Sequence, residues 1–214
     1  MKIIGVWKGA LLVLLFIAPY TQEAKALQKQ EHSQHLHDGD KSSDKKRSYR
    51  EAGRKSIPDV ELLSQNGRKI DFYNDLLKEK TVVISFIYTT CGNVCPMLGA
   101  NLAKLQGLLD ARPGKDIHLI SISSDPVTDT PERLKAWAKM FGEKPGWTLV
   151  TGQKADIDKL SIALIGSVAD KGMHEPVILI GNQDKGIWKS AFGLAEPERL
   201  LEILQQVSAQ STGH

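Results

Sequence analysis

Scarcities in this 214-residue chain exclude several classes of protein before any motif is considered. It has two cysteines, too few to staple a disulfide-rich small fold or to supply a four-cysteine zinc or iron–sulfur site. A membrane-spanning helix needs roughly 20 apolar residues, whereas the N-terminal stretch Ile3 to Ala18 covers 16 and has Lys8 inside it. Positive charge is scarce where a fold could use it. The formal net charge is +3, but residues 1–26 carry +2 and residues 27–56 carry +3, which leaves −2 for the other 158. No basic face is in prospect, which argues against nucleic-acid binding. A hydrophobic fraction of 41% with 25% charged residues is globular and excludes a wholly disordered chain.

Three regions follow from composition. Residues 1–26 read as an export signal: Lys2 and Lys8 form a positive n-region, Ala10 to Ala18 is apolar, and Ala24-Lys25-Ala26 offers a small-x-small cleavage site. A cleaved signal is favoured over an uncleaved anchor, which would be the chain's one membrane attachment. Either reading places the domain outside the cytosol, in the periplasm or on the outer face of the membrane. A mitochondrial presequence would be rich in Arg and Ser, and this leader has neither. Residues 27–56 are polar, with a run from Asp38 to Arg47 that cannot bury enough surface to offset ordering entropy. They are expected to form a flexible tether. His32, His35 and His37 lie there, either as a weak metal-collecting tract or, more simply, as solvated side chains. A folded domain is expected over 57–209, with a disordered tail over 210–214.

Within the domain, Pro58 to Leu63 and Lys69 to Phe72 flank Asn66-Gly67 and read as a hairpin. Thr81 to Tyr88 and Ile117 to Ser123 are runs of β-branched and apolar residues, the mark of strands buried on both faces. Pro96 to Leu109 has helical spacing in Leu98, Leu102, Leu105 and Leu109. Thr130-Pro131 opens a helix through Phe141, Trp147 to Val150 is a short strand, and Lys154 to Leu164 a helix. Pro176 to Ile180 and Gly186 to Ala191 form a second hairpin, and Pro197 to Val207 a last helix. Strands alternating with helices predict an α/β fold with a mixed central sheet.

Both cysteines fall in Cys91-Gly92-Asn93-Val94-Cys95-Pro96, directly after a buried strand and at the start of a helix. Sheets of this class present their sites at the carboxyl ends of strands, and a helix N-terminus stabilises a thiolate. The spacing lets both sulfurs reach one point, to bond to each other or to share a metal. A third ligand is then sought. His118 lies within a strand as a core or edge residue, and His214 is terminal. His174 follows the polar loop Asp170-Lys171-Gly172-Met173 and precedes the hairpin, a junction able to approach the cysteines.

The fragment Phe86-Ile87-Tyr88-Thr89-Thr90-Cys91-Gly92-Asn93-Val94-Cys95-Pro96-Met97 resembles the copper-site loop of the SCO/SenC family. Ser121 to Lys135, with Asp125-Pro126 and then Asp129-Thr130-Pro131, resembles that family's second motif, and His174 matches its downstream histidine. The resemblance covers about residues 57–207. It implies a thioredoxin-like fold, with the N-terminal hairpin as an extension, and copper, as Cu(I) or Cu(II), held by Cys91, Cys95 and His174. It further implies a metallochaperone that delivers copper to, or reduces the cysteines of, a cuproprotein such as a cytochrome c oxidase subunit, with a thiol–disulfide reductant as a further partner. The donor chemistry agrees, since two soft thiolates and an imidazole suit copper better than magnesium or calcium.

Two readings of the pair stay open. One is the copper carrier; the other is a periplasmic thiol–disulfide oxidoreductase cycling Cys91 and Cys95. Metal occupancy and disulfide formation should exclude one another. A peroxidase fares worse, because the threonine wanted three residues before the reactive cysteine is Tyr88. Asp125 either supports the site from behind or merely turns the chain, while Asp129-Thr130-Pro131 reads as a helix cap. Met173 could add a thioether contact, although packing is its simpler role. A cis Glu175-Pro176 bond would bring the site closer to a disulfide oxidoreductase.

Overall fold

The computed structural model describes residues 57–110, 117–169, 171 and 176–209. Within them, seven strands form one sheet: β1 (Glu61–Ser64), β2 (Lys69–Asp71), β3 (Thr81–Ile87), β4 (Ile117–Ser123), β5 (Trp147–Thr151), β6 (Val177–Asn182) and β7 (Ile187–Phe192). Four helices join them: α1 (Val94–Asp110), α2 (Pro131–Lys139), α3 (Lys154–Ile165) and α4 (Pro197–Ala209). The strand order is β2-β1-β5-β4-β3-β6-β7. Strands β3, β4 and β5 run parallel, whereas β1 is antiparallel to β2 and β5, β6 to β3, and β7 to β6.

The expected α/β fold with a mixed sheet is therefore present. The expected N-terminal hairpin is also present, and it continues the sheet through β1 pairing with β5, Leu63 opposite Thr151. Boundaries move by one to three residues. Helix α1 begins at Val94 rather than Pro96, because the first turn of a helix has no use for the missing proline N–H. A turn of π-helix over Phe72–Leu77, opened by Asp71 accepting from the Asn74 N–H, is an element that the sequence did not signal.

Alternation along the strands builds two cores. Val83 and Ile87 of β3, Leu119 of β4, and Ile178 and Ile180 of β6 face α1, α2 and α4. Val82, Ile84, Ile120, Ile122 and Leu179 face the π-turn and α3. Each fully buried Leu, Ile or Val contributes about 1.5–3 kcal/mol by leaving water, and in a strand buried on both faces every position adds to that sum. Helix α1 buries Cys95, Leu98, Gly99, Leu102 and Leu105 at helical spacing. Cys95 is thus part of the core stripe and sits one turn before Gly99.

Gly99 lies against an aromatic cluster in which the Trp137 and Phe141 ring centroids are 4.6 Å apart. A methyl group there would stand 2.7–2.8 Å from the Phe141 and Trp137 rings. Gly99→Ala gains about 1 kcal/mol of helix propensity, but overpacking a filled core costs about 1–3 kcal/mol. A net loss of up to about 2 kcal/mol is expected in urea titration of the reduced protein, together with a changed tryptophan emission; a stabilised variant would contradict this packing.

Candidate metal and dithiol centre

Cys91 follows the end of β3, and Cys95 occupies the first turn of α1. Both thiols are free and buried, 8% and 2% exposed. The Cys95 backbone N–H donates to Cys91 Sγ at 3.4 Å, and the Cys91 N–H is held by the Tyr88 carbonyl at 3.2 Å. The loop is therefore wound back on itself so that the two sulfurs are neighbours. A helix N-terminus supplies the unpaired amides that make this possible.

The two thiols differ in acidity. Burial opposes ionisation of Cys91, but backbone amides of Cys95 and Asn93, the Cys95 thiol and the Tyr88 side chain outweigh it, and its pKa falls from 9.0 to about 7. For Cys95 burial dominates. A hydrogen bond with the Tyr88 backbone relieves it only in part, charge on Cys91 and Asp129 adds to it, and the pKa is pushed up to about 12. Tyr88 is likewise pushed up to about 12, by its hydrogen bond to Cys91 first and by burial second. At neutral pH the site holds one partly ionised sulfur, one thiol and one phenol.

The β4–α2 loop packs alongside. Asp125 is buried and pairs with Lys171 at 2.9 Å. Burial works against its charge, but hydrogen bonding by Thr128 and the Lys171 ammonium hold its carboxyl below the usual range. Its carbonyl accepts from the Thr128 and Asp129 amides, so this aspartate both turns the chain and ties Lys171 to the loop. The expected cap at α2 is provided by Thr130, whose hydroxyl accepts from the Arg133 N–H. Asp129 does not share that role. It is fully buried and accepts from the Thr89 amide and hydroxyl and from the Ser123 hydroxyl. Thr89 is two residues before Cys91. The sequence contained a signal for this: two consecutive capping residues stand before Pro131, and one helix takes one N-cap.

His174 lies outside the described residues, as do Met173, Glu175, His214 and the tether histidines. No group of three or more Cys, His, Asp or Glu side chains able to hold a metal occurs among the described residues. The structure thus brings Cys91 and Cys95 together, and places Lys171, three residues before His174, with its carbonyl oxygen 3.5 Å from the Tyr88 hydroxyl. His118 sits half-buried in β4 and lines a cleft of about 490 Å³ with Gln65, Arg68, Lys144 and Trp147. That cleft is at the end of the sheet away from the cysteines, since β3 starts where β4 starts. No helix among the described residues is long and apolar enough to cross a membrane.

Fold and site together define a class: an α/β domain with a reduced, unequal cysteine pair between a central strand and its following helix. A family model, SCO1/SenC, matches residues 50–186, well over half of the chain, and the chain belongs to the SCO1/SenC family. Its fold is thioredoxin-like, as expected. A candidate copper-binding protein of Stutzerimonas stutzeri is 31% identical over 110 residues, covering 51% of this chain and 52% of its own. The SCO1 protein homolog of Bacillus subtilis is 28% identical over 137 residues, covering 63% and 65%. The chain thus spans about half to two thirds of the length of these curated relatives. A SCO1/SenC family lipoprotein from Bacillus anthracis superposes with a TM-score of 0.63 at 29% identity, covering 71% of this chain and 94% of that one.

The acidity difference is open to measurement. Iodoacetamide alkylation of the metal-free reduced protein should modify Cys91 with a rate that rises through a midpoint near pH 7, while Cys95 stays unreactive up to about pH 10. Equal midpoints for the two sites would contradict the geometry described.

Proposed function

We propose that this chain is an exported copper-binding protein of the metallochaperone kind, whose cargo is one copper ion held by Cys91, Cys95 and His174. The observation that carries the reading is the pair of free, adjacent thiols at the carboxyl end of β3. Soft sulfur donors favour copper over hard cations. The donor set fits on acidity as well: Cys91 is already about half ionised at neutral pH, and Cys95 gives up its proton when a cation arrives to balance the charge. A site of two sulfurs and one nitrogen leaves room for a recipient's ligand to enter.

Further support comes from the relatives. The Stutzerimonas stutzeri protein is described as a candidate copper-binding protein, and the Bacillus anthracis protein is a lipoprotein, in keeping with export and attachment at a membrane surface. The order of parts is a leader over 1–26, a tether over 27–56, the domain over 57–209 and a tail over 210–214. The recipient proposed is a cuproprotein outside the cytosol, such as a cytochrome c oxidase subunit.

The unequal acidities favour one second reading, reduction of a partner's disulfide. The Cys91 thiolate would attack one sulfur of that disulfide, forming a mixed disulfide and releasing the first partner thiolate. Cys95 would then pass its proton to the released thiolate and attack the Cys91 sulfur of the mixed disulfide, releasing the second partner thiolate. Two electrons pass to the partner and the Cys91–Cys95 disulfide forms.

One equivalent of Cu(II) added to the reduced, metal-free domain should produce thiolate-to-copper charge-transfer absorption. Cys91→Ser and Cys95→Ser should each abolish it, and His174→Ala should weaken and shift it. Absence of the band in wild type would contradict the copper reading. Disulfide reduction by wild-type protein without any such band would leave the oxidoreductase in its place.

A further inference from the structure

Asp129 is 0% exposed, and no salt bridge to it occurs among the described residues. What surrounds it instead is a set of donors. The Thr89 amide reaches Oδ1 at 3.1 Å and Oδ2 at 3.3 Å. The Thr89 hydroxyl donates to Oδ1 at 2.6 Å, and the Ser123 hydroxyl to Oδ2 at 2.7 Å. The direction of both hydroxyl protons is fixed by what lies behind them. Thr89 Oγ1 already accepts from Arg133 Nε at 3.2 Å, and Ser123 Oγ from the Asp125 amide at 3.1 Å. Two relays therefore run inward, one from the first turn of α2 through Thr89 and one from the β4–α2 loop through Ser123, and they end on one carboxylate.

Only an acceptor-only side chain satisfies that arrangement; an asparagine would set its own NH₂ donor against one of the hydroxyl protons. Among the described residues, the cost of burying a carboxylate is met by hydrogen bonds from Thr89 and Ser123. If turning the chain were the sole requirement, Thr130 and the Asp125 carbonyl already fulfil it. Both an amide and a hydroxyl of Thr89, two residues before Cys91, are bound to Asp129, and the cysteines that follow are free thiols.

We propose that Asp129 is a positioning residue for the cysteine pair: through Thr89 it clamps the β3–α1 loop in the arrangement that holds two adjacent thiols and opposes the shift that closes them to the disulfide. This rests on the reading that Cys91 and Cys95 are the working pair, and it deepens that reading by naming what sets the balance between their two states. In the reaction concerned, Cys91 and Cys95 lose two electrons and two protons to one glutathione disulfide, giving the protein disulfide and two molecules of glutathione. The clamp favours the reactant side. The clamp is expected to make the dithiol harder to oxidise, not to create its reactivity.

The test is the equilibrium of the metal-free, full-length protein with reduced and oxidised glutathione, read by mass after acid quenching and alkylation. Asp129→Asn should move the equilibrium about tenfold towards the disulfide, the size expected for losing a charge-assisted buried bond. Thr89→Val, which keeps the backbone amide bond and is the milder change should Asp129→Asn fail to fold, should move it the same way by a smaller factor. Thr89→Ser should restore the wild-type ratio. Unchanged equilibria in folded Asp129→Asn or Thr89→Val, or a shift towards the dithiol, would overturn the proposal. Because no copper is present, these results are independent of the charge-transfer band: a wild type without that band ends the copper reading and leaves the clamp standing or falling on its own numbers.

Discussion

Everything at the site depends on the parallel pairing of β3 with β4. Thr81 lies opposite Ile117 and Ile87 opposite Ser123, so the two strands end level and their following loops emerge side by side. That is why the cysteine loop and the Asp125–Asp129 loop, some thirty residues apart in the chain, share one space. Ser124 seals the junction, with both its amide and its hydroxyl donating to the Ile87 carbonyl. The register is secured by side chains on both faces. A slip by one residue would exchange the residues facing α1 for those facing α3 and unpack two cores at once.

On this frame the chemistry is a contest between burial and hydrogen bonding, decided differently for two atoms one helical turn apart. Cys91 lies where amides converge, so donors win; Cys95 lies in the core stripe of α1, so desolvation wins. Such inequality suits both activities considered above. A half-ionised sulfur gives a soft cation or a disulfide somewhere to start, and a protonated neighbour delays closure until the first bond has formed. Metal binding and disulfide exchange then compete for the same electron pairs, and the loop around Thr89 has a say in which of them prevails.

Much of this could be read from the chain. Thr81–Ile87 and Ile117–Ser123 were recognisable because strands buried on both faces have no polar alternation to hide them. The cysteine pair declared itself by its place between such a strand and a helix. Other features escaped for physical reasons. The π-turn at Phe72–Leu77 has the same apolar spacing as a short strand or helix, and only the tertiary setting chooses. Asp129 reads locally as part of a helix cap, because Asp-Thr-Pro satisfies that rule, while its partners in the fold, Thr89 and Ser123, are brought in by strand pairing. The approach of Lys171 to Asp125 belongs to the same kind: a contact across 46 positions for which local pattern offers no clue. The expectation for His174 rests on motif resemblance and falls outside the described residues.

Two sulfurs and one imidazole acting on a single ion would leave a distinct signature on the metal. X-ray absorption at the copper edge, on full-length protein loaded with one equivalent and kept reduced, reads the donor atoms directly. The expected first shell has two sulfur scatterers and one nitrogen, whose outer-shell imidazole signature disappears in His174→Ala. A shell of oxygen and nitrogen alone, or one unchanged when both cysteines are replaced by serine, would contradict it.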